Sequence, residues 1–202
     1  MLQLVLASSS PRRQALIHSL GLKLPIRIVS PEVDEQVEAD WAPRQIVEQL
    51  SLRKARASSR QIAQSGQAAG EAPSLIVGAD TIVVLDGEVM GKPVDEADAK
   101  RMLGRLQGRA HEVYSGIACI NTGDGREVVA SRMTQVWMKP MAADRIARYV
   151  ASGEPMDKAG SYAIQGIGAA LVNRIDGCYF NVVGMSLSLL SELLSEFQVE
   201  VI

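Results

Sequence analysis

The amino-acid sequence predicts an α/β protein with a mixed sheet, and three patterns support this class. Short apolar runs, such as residues 2–7, indicate buried strands. Apolar residues at helical spacing, as over residues 43–62, alternate with these runs. Two turn sequences, Asp86-Gly87 and residues 122–125, indicate hairpins. Intervening helices favour parallel strands and hairpins require antiparallel ones, so we expect both in one sheet.

The predicted amino-terminal half begins with a strand over residues 2–7 and a helix that starts at Pro11. Ser10 is a suitable N-cap for this helix, and Gly21 ends it. The elements that follow are a strand over 25–29, an acidic loop over 31–35, a helix over 43–62, and a small, polar stretch over 64–74 that predicts a mobile surface insertion.

The carboxy-terminal half is predicted to contain two hairpins and three helices. The predicted strands cover residues 75–85, 88–90, 111–121, 127–138 and 169–175, and the predicted helices cover 95–106, 142–151 and 185–197. A glycine-rich region over 160–168 precedes the last strand. The length favours one domain over residues 1–202.

Composition excludes several classes of protein. The 202 residues are 47% hydrophobic and 22% charged, as in ordinary globular proteins. Lys and Arg number 21 against 23 Asp and Glu, without the basic excess of a nucleic-acid-binding protein. Cys119 and Cys178 lack metal-ligand spacing, so we expect small core residues in a reduced, cytoplasmic protein. Neither a signal peptide nor a membrane span is predicted.

The junction between the first strand and the first helix predicts a phosphate site. It reads Ser8-Ser9-Ser10-Pro11-Arg12-Arg13. A helix N-terminus offers free N–H donors, and a guanidinium group can grip phosphate oxygens in pairs. The alternative is a capped helix with two solvated arginines.

Asp80 is a candidate for chemistry, because it lies within or at the end of a buried strand, where an ionised carboxylate needs a nearby cation or metal. The alternative is a polar strand end that caps a loop, which the apolar run after Thr81 disfavours. Asp80 could also act as a general base that activates water. Lys54 is out of place on an apolar helical stripe, and Lys92 lies between two turn-forming residues; each has an ordinary solvated charge as its alternative. The acidic loop, with Glu35, could bind a hard cation such as Mg²⁺.

Residues 154–166 combine charge, glycine and one amide without helical or strand periodicity. Glycines permit close approach of the backbone to a ligand, and the Gln165 amide offers both a donor and an acceptor to a base edge. The alternative is an ordinary long turn, which the length of the segment disfavours.

Five ordered motifs together resemble the Maf family of nucleoside triphosphate pyrophosphatases. They are residues 8–13, 78–81, 91–93, 114–116 and 154–166, and they span nearly the whole chain. The resemblance implies a Maf/ITPase-like two-lobed α/β fold, with an elongated mixed sheet flanked by helices and a central cleft, often as a homodimer.

The resemblance also implies roles for individual residues. Asp80 matches the proton acceptor and, with Glu35, the acids that hold Mg²⁺ or Mn²⁺. The residues expected to bind phosphate are Ser8, Arg13, Lys54 and Lys92. Arg12, Thr81 and Gln165 match the selectivity positions of the dTTP/UTP pyrophosphatase subgroup, whereas the 7-methyl-GTP subgroup tends to carry Trp, Gln and Glu there.

The implied activity is metal-dependent hydrolysis of dTTP and UTP, with modified forms of these nucleotides left open, to a nucleoside monophosphate and pyrophosphate. We expect the protein to bind neither nucleic acid nor a membrane. Two alternatives stay open: a pyrophosphatase for a methylated purine nucleotide, and a non-catalytic nucleotide-binding regulator of septum formation, since the family is associated with arrest of cell division.

Overall fold

A computed structural model describes residues 2–64 and 73–201. Thirteen helices and strands form in this order: β1 (Gln3–Ala7), α1 (Pro11–Ser19), β2 (Ile26–Val29), α2 (Pro43–Gln64), β3 (Ser74–Leu85), β4 (Glu88–Met90), α3 (Glu96–Leu106), β5 (Ala110–Asn121), β6 (Glu127–Met138), α4 (Ala143–Ala151), β7 (Val172–Asp176), α5 (Tyr179–Val183) and α6 (Leu187–Ser195). Short 3-10 helices cover Glu154–Asp157, Ala159–Ser161 and Gly166–Leu171, between α4 and β7.

The strands form one seven-stranded mixed sheet. The strand order is β2-β1-β3-β5-β6-β7, and β4 pairs with β3. β1 is parallel to β2 and β3, whereas β4 is antiparallel to β3 and β7 is antiparallel to β6. This arrangement confirms the predicted α/β class with a mixed sheet. The cleft and the single domain over residues 1–202 stay predictions.

The chain divides into two compact units. Unit 1 contains Met1–Asp80, Ser115–Arg132 and Gly184–Ile202, and unit 2 contains Thr81–Tyr114 and Met133–Val183.

In unit 1 the chain reverses its direction of winding at β1. From β1 it passes through α1 to β2 on one side, and then through α2 to β3 on the other side. Ala7, the last residue of β1, aligns with Val29 of β2 and with Gly78 of β3. Ligands of open α/β sheets bind at such a switch point, beyond the carboxyl ends of the strands. The loop after β1, the loop after β2 and the segment of β3 after Gly78 meet at this edge.

The core of unit 1 lies between these strands and α2. Val5 of β1, Ile76 of β3 and Ala118 of β5 pack with Leu52 and Ala55 of α2, and all five are buried. The interior side chains of α2 recur at helical spacing, which explains why its helix was predictable.

The core of unit 2 lies between α3, α4 and the strands that they cover. Leu103 and Leu106 of α3 and Ile146 and Val150 of α4 are buried in one apolar cluster. Asp95 caps α3 as predicted, because its side chain accepts a hydrogen bond from the Asp98 N–H. Asp86 and Gly87 both have positive φ, as a type I′ hairpin turn requires, so this prediction is also confirmed.

Two predicted elements have different bounds in the structure, and one short helix was not predicted. β7 begins at Val172 and not at residue 169, because the preceding residues form the 3-10 helix Gly166–Leu171. The last helix starts after Ser186, whose side chain accepts a hydrogen bond from the Leu189 N–H, and the five-residue α5 was not predicted. Residues 65–72 of the predicted insertion lie outside the described residues.

Both cysteines are free, and Cys119 is completely buried, as expected for a small core residue. Cys178 is only partly buried. Within residues 2–64 and 73–201, no helix is long and apolar enough to cross a membrane.

Candidate active site

Three charged side chains meet at the switch point of unit 1. The Lys54 Nζ lies 2.5 Å from Oδ1 of Asp80 and 2.8 Å from Oε1 of Glu35. The side chains of Lys54 and Asp80 are 14% and 10% exposed, and that of Glu35 is 59% exposed. The cation that a buried carboxylate at Asp80 requires is therefore Lys54, and one side of the cluster is open to solvent.

Two glycines allow α2 to approach the sheet closely enough to form this cluster. A Cβ at Gly78 would lie 2.2 Å from the carbonyl oxygen of Ser51, one turn before Lys54. A Cβ at Gly116 would lie 2.3 Å from the carbonyl oxygen of Val47. Larger residues at either position would push α2 away, so these glycines position the Lys54 ammonium against Asp80.

The segment after β1 brings hydroxyl and guanidinium groups to the same edge. Ser8 is buried, and its Oγ accepts a hydrogen bond from the Ser10 N–H at 3.2 Å. The Arg13 Nε donates to the Gly184 carbonyl oxygen at 2.9 Å, which fixes the guanidinium group. α1 begins at Pro11, so the predicted helix N-terminus is present, although the Ser10 side chain does not cap it.

Electrostatics link the arginines to the carboxylates. Burial lowers the pKa of Arg13, and the neighbouring charge of Arg12 lowers it further, while the charges of Asp80 and Glu35 act in the opposite direction. Four of the predicted site residues therefore share one electrostatic environment. Two guanidinium groups and one ammonium group beside two carboxylates can bind a polyphosphate, a divalent cation, or both together.

Glu35 and Asp80 suit a hard divalent cation in the type and number of their ligands. Their carboxylates converge on the Lys54 Nζ, and Mg²⁺ usually takes one or two protein carboxylates together with substrate phosphates. Across the described ranges, no group of three or more His, Cys, Asp or Glu residues could hold a metal ion. Two carboxylates leave most of the coordination positions of Mg²⁺ for oxygen atoms of a substrate or of water.

Arg53 holds the loop that carries Glu35, and sequence analysis missed it. Its Nη1 donates to the carbonyl oxygens of Asp34 at 3.3 Å and Gln36 at 2.5 Å, one on each side of Glu35. The same guanidinium group lies over the Trp41 ring at 5.2 Å. Asp34 accepts a hydrogen bond from the Gln36 N–H and so shapes the turn. Among the loop acids, the contact with Lys54 is made by Glu35.

The remaining candidates belong to unit 2. Thr81 follows Asp80 directly on β3, and Lys92 is an exposed residue just after β4. The Gly160 N–H donates to the carbonyl oxygen of Gly91 at 3.0 Å, which joins the Lys92 turn to the segment that contains Gln165. Gln165 itself is exposed. Two motifs that are about 70 residues apart in sequence are therefore adjacent in this unit.

A parallel-strand switch point lined by arginines, a lysine and paired acids is typical of α/β proteins with a ligand site at this edge of the sheet. The sequence profile of the family described as Maf-like protein matches residues 3–197. The chain therefore belongs to the Maf-like protein family, which confirms the resemblance seen in its motifs.

Several relatives are similar over nearly their whole length, and they share one name. A dTTP/UTP pyrophosphatase of Symbiobacterium thermophilum is 50% identical over 197 residues, which cover 98% of this chain and 95% of that protein. Proteins of the same name from Acetivibrio thermocellus and Desulforamulus reducens are 47% and 43% identical; they cover all of this chain, and 98% and 100% of their own lengths are aligned.

Proposed function

We propose that this protein hydrolyses dTTP and UTP to the nucleoside monophosphate and pyrophosphate, with a divalent cation as cofactor. The observation that carries the proposal is the Glu35–Lys54–Asp80 cluster beside Arg12 and Arg13 at the switch point of unit 1. The names of relatives up to 50% identical support the choice of nucleotide.

The phosphate chain would be held by the cationic groups of the site. Arg13 is fixed by Gly184 and presents a planar guanidinium group, while Ser8 and the N-terminus of α1 offer further donors. Lys54 neutralises Asp80 in the free protein and would share its charge with the phosphates in the complex. Lys92 of unit 2 is assigned to the same role through the family resemblance.

Asp80 would act as the general base. Its carboxylate would take a proton from water as the oxygen attacks the α-phosphorus, and the bond from that phosphorus to the bridging oxygen would break to release pyrophosphate. Glu35 and Asp80 would hold Mg²⁺ or Mn²⁺, which supplies positive charge to the phosphate oxygens. Arg13, Lys54 and Lys92 would stabilise the negative charge that develops on the pyrophosphate leaving group.

Arg12, Thr81 and Gln165 are proposed to select the base. Uracil and thymine present a carbonyl acceptor beside an N–H donor, which a Gln amide can match with its NH₂ and carbonyl groups. A Glu at this position suits the paired donors of guanine, so the Gln favours a pyrimidine over the methylated purine alternative.

A non-catalytic regulator is the alternative from a different class of function. Such a protein needs cations for phosphate but has no use for a carboxylate enclosed at the phosphate end of the site. Asp80 is 7% exposed and paired with Lys54, an arrangement that favours a hydrolase.

We also propose that the protein is a homodimer in the cytoplasm. The family resemblance supports the dimer, and the location of nucleotide pools supports the cytoplasm. Sedimentation velocity tests the dimer.

The decisive experiment is product analysis with dTTP, UTP, CTP, GTP, ATP and 7-methyl-GTP, in Mg²⁺ or Mn²⁺, with pyrophosphate and orthophosphate measured separately. We expect pyrophosphate from dTTP and UTP, and a loss in kcat of about 10²–10⁴-fold in Asp80→Asn. Asp144→Asn is the matched control, because it removes an exposed acid paired with Arg148 on α4. Orthophosphate would contradict attack at the α-phosphorus, and no product from any nucleotide would favour the regulator.

A further inference from the structure

Gln165 occupies an unusual position at the start of a 3-10 helix. It is the N-cap of Gly166–Leu171, with extended backbone, but its side chain does not cap that helix. N-cap side chains normally accept a hydrogen bond from the first turn. Here another residue supplies the acceptor, and the exposed Gln165 amide is not used for this purpose.

Glu154 is the residue that caps this helix. Its Oε2 accepts a hydrogen bond from the Ile167 N–H at 3.0 Å, and its Oε1 accepts one from the Gly168 N–H at 2.8 Å. Both donors lie directly after Gln165 and Gly166 in the chain. The Glu154 carboxylate therefore fixes the backbone on the carboxyl side of Gln165.

Tyr149 fixes the backbone on the amino side of Gln165. Its hydroxyl group donates to Glu154 Oε1 at 2.9 Å and accepts from the Ala163 N–H at 3.2 Å, two residues before Gln165. Tyr149 is itself buried in the core of unit 2, on α4. The hydroxyl of Tyr149 on α4 and the carboxylate of Glu154 on the following 3-10 helix thus support the segment from both sides of Gln165.

The backbone of the segment is fitted closely to these two side chains. A Cβ at Gly166 would lie 2.4 Å from Glu154 Oε2, and Gly166 also has a positive φ of 63°. A Cβ at Gly168 would lie 2.6 Å from the Tyr149 hydroxyl. The glycines before and after Ile167 therefore allow the segment to close onto Glu154 and Tyr149.

The carboxylate form of Glu154 is favoured in this environment. Burial alone would raise its pKa, but hydrogen bonds from Gly168, Ile167 and Tyr149, together with the charge of Lys158, lower the pKa below its ordinary value. The Lys158 Nζ also donates to the Glu154 carbonyl oxygen at 2.5 Å. Glu154 is therefore ionised at neutral pH and accepts all three hydrogen bonds.

We propose that Glu154 and Tyr149 are positioning residues that hold Gln165 for recognition of the uracil or thymine edge. This inference rests on the proposed function. Gln165 can pair with cytosine as well as with uracil if its side-chain amide flips. The reason is that the edges of these two bases present donors and acceptors in opposite order. A fixed backbone limits the positions that the Gln165 amide can reach, so we expect the preference for UTP over CTP to depend on Glu154 and Tyr149.

Kinetics of Glu154→Gln and Tyr149→Phe test the proposal. An amide presents an NH₂ group to one of the N–H donors, so Glu154→Gln cannot accept all three hydrogen bonds. We expect kcat/KM for UTP to fall by roughly 10–100-fold, mainly through KM, and the UTP/CTP ratio to fall at least about fivefold. Asp144→Asn, also on α4, should leave both quantities unchanged.

A double-mutant cycle separates positioning from general damage. In a Gln165→Ala background, Glu154→Gln should add less than about a twofold loss in kcat/KM, because it acts through the missing amide. Full additivity of the two losses, or a fall in kcat at unchanged KM and unchanged UTP/CTP ratio, would overturn the proposal.

Hydrogen exchange gives a readout that does not depend on activity. Amide exchange at Ala163, Ile167 and Gly168 should accelerate about tenfold or more in Glu154→Gln, while α3 amides stay protected. Unchanged exchange at these amides would overturn the positioning role. If wild-type protein released no pyrophosphate, the proposed function would fail, whereas exchange would still decide whether Glu154 holds this segment.

Discussion

At the scale of single residues, unit 2 contains a buried histidine without a charged partner. His111 is 3% exposed, and its Nε2 lies 2.8 Å from the Tyr162 hydroxyl, with the two rings edge to face. Its Nδ1 has no hydrogen-bond partner among the described residues. Burial lowers the pKa of His111 from 6.5 to about 4, so the imidazole is neutral at pH 7.

This histidine predicts a loss of stability in acid. The unfolded chain binds the proton below about pH 6.5, whereas the folded protein binds it only below about pH 4. The contribution of neutral His111 to the free energy of unfolding is therefore complete above pH 6.5. It is lost as the pH falls to 4, and the loss is about 3 kcal/mol at most. Urea denaturation at pH 7 and pH 4.5 should show a smaller acid loss for His111→Gln than for the wild type. An identical pH dependence in both proteins would contradict this assignment.

At the scale of elements, the placement of α2 determines whether Lys54 reaches Asp80. The helix contacts β3 at Gly78 and β5 at Gly116 through backbone atoms, which leaves no room for a Cβ. Interiors are packed closely enough that even one added methyl group displaces its neighbours. The geometry of the candidate site is therefore sensitive to residues that carry no functional group.

Gly78→Ala should reduce both stability and activity. We expect the free energy of unfolding to fall by about 1–3 kcal/mol and kcat/KM for UTP to fall at least about tenfold, because α2 must move away from β3. Gly104→Ala is the matched control: it lies on an exposed face of α3 with nothing within 4 Å of the added Cβ, so it should be neutral or stabilising. Equal behaviour of the two variants in denaturation and kinetics would refute the close-packing argument.

Elements defined by local chemistry were predictable, and those defined by distant partners were not. The Asp86-Gly87 turn and the Asp95 cap depend on neighbours within a few residues, so the sequence specifies them directly. The 3-10 helix before β7 depends on Glu154, twelve residues before Gly166, and its apolar sequence resembled a strand.

The same distinction holds within the candidate site. A buried acid indicated Asp80, the junction between β1 and α1 indicated Arg13, and the family resemblance added Lys54. No spacing rule, however, predicts the 2.5 Å contact between Lys54 and Asp80, which are 26 residues apart. Arg53 was missed because its partners are backbone carbonyl groups, which leave no signature in side-chain sequence. For Glu154, the glycines at 166 and 168 were the available signal, since both make room for a side chain.

At the scale of the whole molecule, a substrate analogue should stabilise the fold, because the site gathers residues from β3, α1, α2 and the loop after β2. With Mg²⁺ and a non-hydrolysable UTP analogue at 100 times its Kd, linkage predicts about 2.7 kcal/mol. For a chain of this size that corresponds to a rise in Tm of roughly 5–10 °C. Thermal melts should show a much smaller rise in Tm with a non-hydrolysable ATP analogue. The rise should also be much smaller with the UTP analogue when EDTA removes the metal. Equal rises with all analogues would argue against base selection.

The position of β1 between β2 and β3 has a consequence for folding kinetics. Residues 3–7 pair with residues 74–78, so about seventy residues must be enclosed before this contact forms, whereas the β3–β4 hairpin closes locally. Contacts of long sequence separation form slowly, because the entropy of loop closure is lost before they stabilise the chain. The segment directly after β1, which carries Arg13, comes near Asp80 of β3 through this pairing. A partly folded chain therefore lacks the complete candidate site, and we expect the recovery of activity during refolding to follow the slowest structural phase.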